Sequence, residues 1–245
     1  MELSLAIDQG NSSAKVSVFD GRTLLNSWRL RRPTAMGIAR ILKDCPVRKA
    51  IYSSVTGNDE ATLALLQERM AKLWIVDEKL PMPLAFDYAT PQTLGRDRMA
   101  AAVGAFSLLP GRNVLVVDAG TAVTCDFVSA DGRFAGGNIA PGLALRFRAL
   151  ARSCAQLPKI DEKGDIPELG FDTATAIRAG VVRGMVAEVA FMAQKMSERH
   201  GDIAVAMTGG DGAFLASMLE MPNVVVDKDL VAIGLNRILE YNESL

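Results

Sequence analysis

Two stretches of this chain end an apolar run on an aspartate, place glycine two residues later and continue into small hydroxyl or amide residues. They are Asp8-Gln9-Gly10-Asn11-Ser12 and Asp118-Ala119-Gly120-Thr121-Ala122. Glycine lets the backbone approach a ligand closely, and the exposed N–H groups of such turns attract phosphate oxygens. A carboxylate beside a polyphosphate is repelled unless a cation lies between them, so Asp8 and Asp118 imply metal ions. Lys15, in the next strand after Asp8, neutralises phosphate charge if its side chain faces the same ligand. Either motif alone is an ordinary strand exit; two copies point to a phosphate site.

A second concentration of charge is Leu94-Gly95-Arg96-Asp97-Arg98, preceded by Tyr88 and Pro91. Read as structure, Asp97 is a helix cap flanked by solvated arginines. Read as chemistry, it accepts a proton from a substrate hydroxyl while an arginine holds an anionic part of the substrate. The single histidine, His200, falls at an expected helix C-terminus, where an imidazole pairs with the helix dipole. A carboxylate is therefore the candidate base. Gly136-Gly137-Asn138-Ile139-Ala140-Pro141-Gly142 either lines a cleft or simply joins strand to helix. Thr173 is a helix cap or a substrate contact. Thr208-Gly209-Gly210 suits backbone packing against a flat ring such as adenine. The motifs GxxxxGK[ST], GxGxxG, HExxH and GxSxG and paired Cys/His ligands are absent.

These residues need matched scaffolds, and the spacing supplies them. Short strands are expected at 3–8, 14–19 and 23–29, and again at 114–118, 122–128 and 133–138. The Asp-x-Gly motif recurs at an offset of 110 residues and the hairpin signal Asp-Gly-Arg, at 20–22 and 131–133, at 111. Two separate features recurring in register mark a duplicated unit. Between and after them fall expected helices at 34–43, 60–73, 99–109, 172–198 and 229–241, and strands at 48–54 and 203–208. The alternation indicates an α/β fold, divided into domains at 1–110 and 111–245.

Of the 245 residues 49% are hydrophobic and 22% charged, which suits a chain that buries a real core. A net charge of −1 argues against a nucleic-acid partner, and the basic run Arg29-Leu30-Arg31-Arg32 reads as a solvated strand end. Cys45, Cys125 and Cys154 are odd in number and lack CxxC spacing, so free thiols are expected. With no apolar run long enough for a membrane span and no leader pattern, a cytoplasmic protein without a membrane partner is expected.

In order, "DQGNSSAK" at 8–15, "LGRDR" at 94–98, "VDAGTAVTCDFV" at 117–128 and "GGNIAPG" at 136–142 resemble the type III pantothenate kinases, within the actin, sugar-kinase and heat-shock ATPase superfamily. The resemblance spans nearly the whole chain. It implies two related ribonuclease-H-like (actin-like ATPase) domains around a central cleft, and ATP-dependent phosphorylation of pantothenate at the first step of coenzyme A synthesis. It also implies that Asp8, Gln9, Gly10, Asn11, Ser12, Ser13, Ala14, Lys15 and Thr121 bind ATP, carried with Mg²⁺. Asp97 would be the proton acceptor, and Tyr88, Gly95, Arg96, Arg98 and Thr173 would contact pantothenate. Asp118 would bind a monovalent cation, K⁺ or NH₄⁺, and the protein would be a homodimer. The motif has Gln9 and Ser12 where the family more often has Ile and Thr. Two alternatives are another small-molecule kinase of the superfamily and a non-catalytic regulatory relative; retention of Asp8, Asp97 and Asp118 speaks against the latter.

Overall fold

The computed structural model describes residues 3–10, 13–31 and 34–245. The chain forms two compact units. The first contains Met1–Gly111, Ala130–Ala135 and Asp229–Leu245, and the second Arg112–Ser129 and Gly136–Lys228.

In the first unit, β1 (Leu3–Gln9), β2 (Ala14–Asp20) and β3 (Thr23–Leu30) form an antiparallel meander. On the other side of β1, β4 (Lys49–Ser54) and β5 (Lys72–Ile75) run parallel to it, giving the order β3-β2-β1-β4-β5. Parallel neighbours need a crossover, and helices supply it: α1 (Ala35–Asp44) and α2 (Glu60–Arg69), N-capped by Thr34 and Asp59. Strand alternation sends Leu5, Ile7, Val16, Val18, Ala50 and Tyr52 to one face, where Ile38, Ile41, Leu66 and Met70 of the helical side bury them. The opposite face carries Ser4, Asp8, Lys15 and Ser53. It is covered by α3 (Arg96–Leu108) and α8 (Leu230–Glu243), which pack on each other.

The second unit repeats this plan. Its strands β7 (Asn113–Ala119), β8 (Ala122–Val128), β9 (Arg133–Pro141), β10 (Ile203–Thr208) and β11 (Val224–Val226) lie in the order β9-β8-β7-β10-β11. Again the first pair is antiparallel and the last two strands parallel the first. A short β6 (Ala85–Phe86) pairs with the start of β9, at Arg133 and Phe134, inside the first unit. The helices of the second unit are α4 (Leu143–Ser153), α5 (Thr173–Arg178), α6 (Gly184–His200) and α7 (Gly212–Ala216). A π-helical turn, Ala179–Arg183, joins α5 to α6.

The expectation of one helix over 60–73 is corrected: α2 stops at Arg69 and the chain turns into β5 at Lys72. Leu73 fits a helical phase, but Lys72–Ile75 finds backbone partners along β4, which outweighs local periodicity. The short strands β6 and β11 and the helix α7 are likewise invisible in the periodicity.

Candidate active site

In the first unit, Asp8 lies near the C-terminal end of β1, in register with Lys15 on β2 and Ser53 on β4. Cross-strand partners share a face, so all three side chains occupy the side covered by α3 and α8. Gly10 N–H donates to Ser13 O (3.0 Å), closing the turn between β1 and β2. The site residues Asn11 and Ser12 lie outside the described residues. Ser13 Oγ accepts from Arg29 Nε (3.0 Å), and Ala14 is fully buried.

Gln9 faces the other way. Its Oε1 accepts from the hydroxyl of buried Tyr52 (2.5 Å), and its Nε2 donates to Thr56 Oγ1 (3.0 Å). Tyr52 Oη in turn accepts from the Asp59 N–H (3.1 Å). The departure from isoleucine is thus built into a polar network tying the turn after β1 to the loop after β4.

The N-terminus of α3 reaches the same edge of the sheet: Arg96 Nη1 donates to Ser54 O, the last carbonyl of β4 (3.0 Å). The helix cap is Gly95, not Asp97, which lies in the first turn with its Oδ1 accepting from Arg98 N–H (2.9 Å). A side-chain carbon on Gly95 would sit 2.5 Å from that Oδ1, so glycine leaves the carboxylate its room. The solvated-arginine reading fails for Arg98, which is 5% exposed. Its guanidinium lies 5.6 Å from the centre of the Tyr88 ring and 5.8 Å from that of Phe134, within cation–π range. Tyr88 and Phe134 meet edge to face at 6.1 Å. Phe134 was not among the expected site residues; its only signal is that it follows the second Asp-Gly-Arg turn.

In the second unit, Asp118 occupies the position of Asp8: near the C-terminal end of the central strand, paired with Thr124 on β8 and Thr208 on β10. In both units the parallel-strand partner of the aspartate is a hydroxyl residue. Gly209, with φ +88°, presses on this strand end. A side-chain carbon there would lie 2.4 Å from Ala119 O and 2.5 Å from Asp118 Oδ1, so these two oxygens flank one small space. An all-oxygen donor set suits hard cations. Among the described residues no group of three or more acidic, thiol or imidazole side chains could hold a metal. Asp211 N–H donates to Ala119 O (3.0 Å), fixing the Thr208-Gly209-Gly210 turn against the same strand. Burial, with a smaller contribution from Glu162, raises the Asp211 carboxyl above its ordinary range.

Thr121 and Thr173 are exposed. Thr173 is the first residue of α5, and the cap is its neighbour Asp172, in a reciprocal capping box with Thr175. Hydrogen bonds from the Thr175 amide and hydroxyl hold the Asp172 carboxyl below its ordinary range. The π turn follows directly, an irregularity often found at functional sites. Nε of Arg183, its last residue, donates to Pro167 O (2.7 Å) and Arg178 Nε to Asp161 O (3.1 Å), which fastens the 158–170 loop to this helical segment. His200 stacks on Phe127, ring centres 4.4 Å apart, in keeping with a packing role. Among the described residues no helix is long and apolar enough to cross a membrane.

The family model for type III pantothenate kinase matches residues 4–195. The chain is 40% identical over 243 residues to a type III pantothenate kinase of Phocaeicola vulgatus, covering 99% of this chain and all of that protein. It is 40% identical over 245 residues to one from Porphyromonas gingivalis W83, again covering 99% of this chain and all of the relative. Among solved structures, a protein described as a Baf family transcriptional activator from Campylobacter jejuni aligns with a TM-score of 0.64 at 24% identity, over 98% of this chain and 100% of that one. A ROK hexokinase from Thermus thermophilus aligns at 0.58 and 13% identity, over 99% and 100%. These two likenesses show the sugar-kinase and actin-like ATPase fold. Matched over its whole length, the chain belongs to the type III pantothenate kinase family, whose enzymes phosphorylate pantothenate in coenzyme A biosynthesis.

Proposed function

We propose that this protein transfers the γ-phosphoryl group of ATP to the primary hydroxyl of pantothenate, with Asp97 as the base. The hydroxyl oxygen forms the new bond to phosphorus, the bond from phosphorus to the β–γ bridging oxygen breaks, and the hydroxyl proton passes to the Asp97 carboxylate. The turn spanning Asp8 to Lys15 receives the phosphates, Lys15 offsets their charge, and Asp8 faces the divalent ion carried with ATP, which supplies charge neutralisation when bound. Thr121 contacts the nucleotide, and Asp118, with Ala119 O beside it, would hold a monovalent cation. Tyr88, Gly95, Arg96, Arg98 and Thr173 form the pantothenate contacts, with Arg96 and Arg98 favouring an anionic acceptor over a neutral sugar. The reading extends to a cytoplasmic protein and to a homodimer, the latter supported by exposed apolar Leu169 and Phe171, close to Thr173 in the chain, and Phe191 on α6.

The observation that carries the reading is that α3 begins beside the end of the sheet where Asp8 lies. Arg96 bonds the last carbonyl of β4, and Asp8 and Lys15 share the face that α3 covers. Holding the reacting groups in one place is the larger part of phosphoryl-transfer catalysis, and the base adds about 10²–10⁴-fold. The test is pantothenate-dependent ADP release by wild type and Asp97→Asn, with and without potassium. The variant is expected to lose about 10²–10⁴-fold in kcat while still binding ATP. Unchanged turnover removes Asp97 from the reaction, and indifference to potassium removes the Asp118 cation.

A further inference from the structure

Lys15 Nζ lies 2.7 Å from Asp229 Oδ1. The aspartate comes from the far end of the sequence, the residue before α8, and it is 8% exposed. An aspartate at a helix N-cap ordinarily bonds the amides of the first turn. This one makes no such bond; its carboxylate goes to the lysine. A carboxylate placed near a phosphate-binding lysine repels the anion that the lysine is there to meet, so helix capping and phosphate attraction both fail to account for it.

Orientation does account for it. A lysine side chain is a point charge on a flexible four-carbon stem. Lys15 is in register with Asp8, on the same face of the sheet, so an ammonium left to wander would fold back onto Asp8 or out to water. The ion pair with Asp229 restrains it, and the mount is stiff. Further along α8, Asn236 Oδ1 accepts from Ser4 Oγ (2.7 Å), and Asn236 Nδ2 donates to Gly21 O (2.8 Å). Gly234 of the same helix meets α3, which carries Asp97.

We infer that Asp229 is a positioning residue of the phosphoryl-transfer site: it acts through Lys15, holding the ammonium in place for the nucleotide's phosphates. The inference rests on the reading of Lys15 given above.

A double-mutant cycle on the full chain tests it, with Lys15→Met, Asp229→Asn and the double variant. Asparagine suits an N-cap as well as aspartate does, so helix propensity is preserved; if that variant is not recovered folded, Asp229→Ser takes its place. Asp229→Asn is expected to raise the KM for ATP about 5- to 50-fold, within the range of coupled neighbouring residues. The KM for pantothenate should stay where it was. In the Lys15→Met background the same change should leave the KM for ATP within about twofold. Equal losses in both backgrounds, a rise in both KM values together, or no change on Asp229→Asn overturns the positioning role. If Lys15→Met itself leaves the KM for ATP unchanged, the phosphate role of Lys15 fails first and the inference falls with it.

Discussion

Gly104 of α3 and Gly234 of α8 meet backbone to backbone. A side-chain carbon on Gly104 would sit 2.3 Å from Leu230 O, and one on Gly234 would sit 1.8 Å from Ala100 O. The helix carrying Asp97 and the helix that follows Asp229 therefore cross as closely as main chains allow. Gly104→Ala and Gly234→Ala should each destabilise the protein by about 1–3 kcal/mol, as for other overpacked core sites. Chemical denaturation checks this, and wild-type midpoints in both variants would deny the close crossing.

Gly95 should be more important to rate than to stability. Alanine there drives its methyl group into Asp97 Oδ1, the free end of a side chain, so the carboxylate swings aside and the helix persists. Misplacing a reacting group by about 1 Å reduces rate by roughly 10²-fold. Gly95→Ala is thus expected to lose kcat on that order with its unfolding midpoint nearly unchanged. A variant as active as wild type would separate Asp97 from the chemistry.

Glu243, at the end of α8, pairs with Lys49 of β4 and with Lys72 of β5, at 3.7 Å for the latter. Its bonds to Lys49 hold its carboxyl below the ordinary value of 4.5. A carboxyl depressed in the folded state stabilises above its unfolded value, and that contribution disappears as pH falls through the folded value. Glu243→Gln should therefore lower stability at pH 7 by under about 1 kcal/mol, given the partial exposure of the pair. The gap to wild type should close below pH 4.5. A gap that persists in acid would mean that the pair is not its source.

Burial pushes the Cys125 thiol up to about 12, with Asp126 and Glu188 adding to the effect. The thiolate is the reactive form, so Cys125 should resist alkylation at pH 8 in the folded protein while exposed Cys154 is labelled. Mass spectrometry after brief iodoacetamide treatment reads this directly. Labelling of Cys125 at the rate of Cys154 would contradict its burial.

Much of the site was legible because duplication writes it twice. Asp8 and Asp118 stand at matching places in strand orders that repeat element for element, and the hairpin turns after them recur at nearly one offset. What stayed hidden depends on partners distant in sequence. Arg98 reads as a solvated charge until Tyr88 and Phe134 flank it, and Gly104 reads as one small residue among alanines until Gly234 touches it. Lys72 and Leu73 read as helix until β4 offers Lys72–Ile75 a ladder. Asp229 gave no signal at all, because its meaning lies in a lysine more than two hundred residues earlier.

The first unit is assembled from three separated segments, and the last of them, Asp229–Leu245, follows all of the second unit in the chain. On the ribosome, Ser4, Lys15 and Gly104 emerge long before the helix that covers them exists. The early half must therefore wait with that side of its sheet only partly covered, by α3, until α8 has been made. Catalytic competence thus arrives as a late event, gated by translation, and a chain cut short before Asp229 has no hold on its lysine.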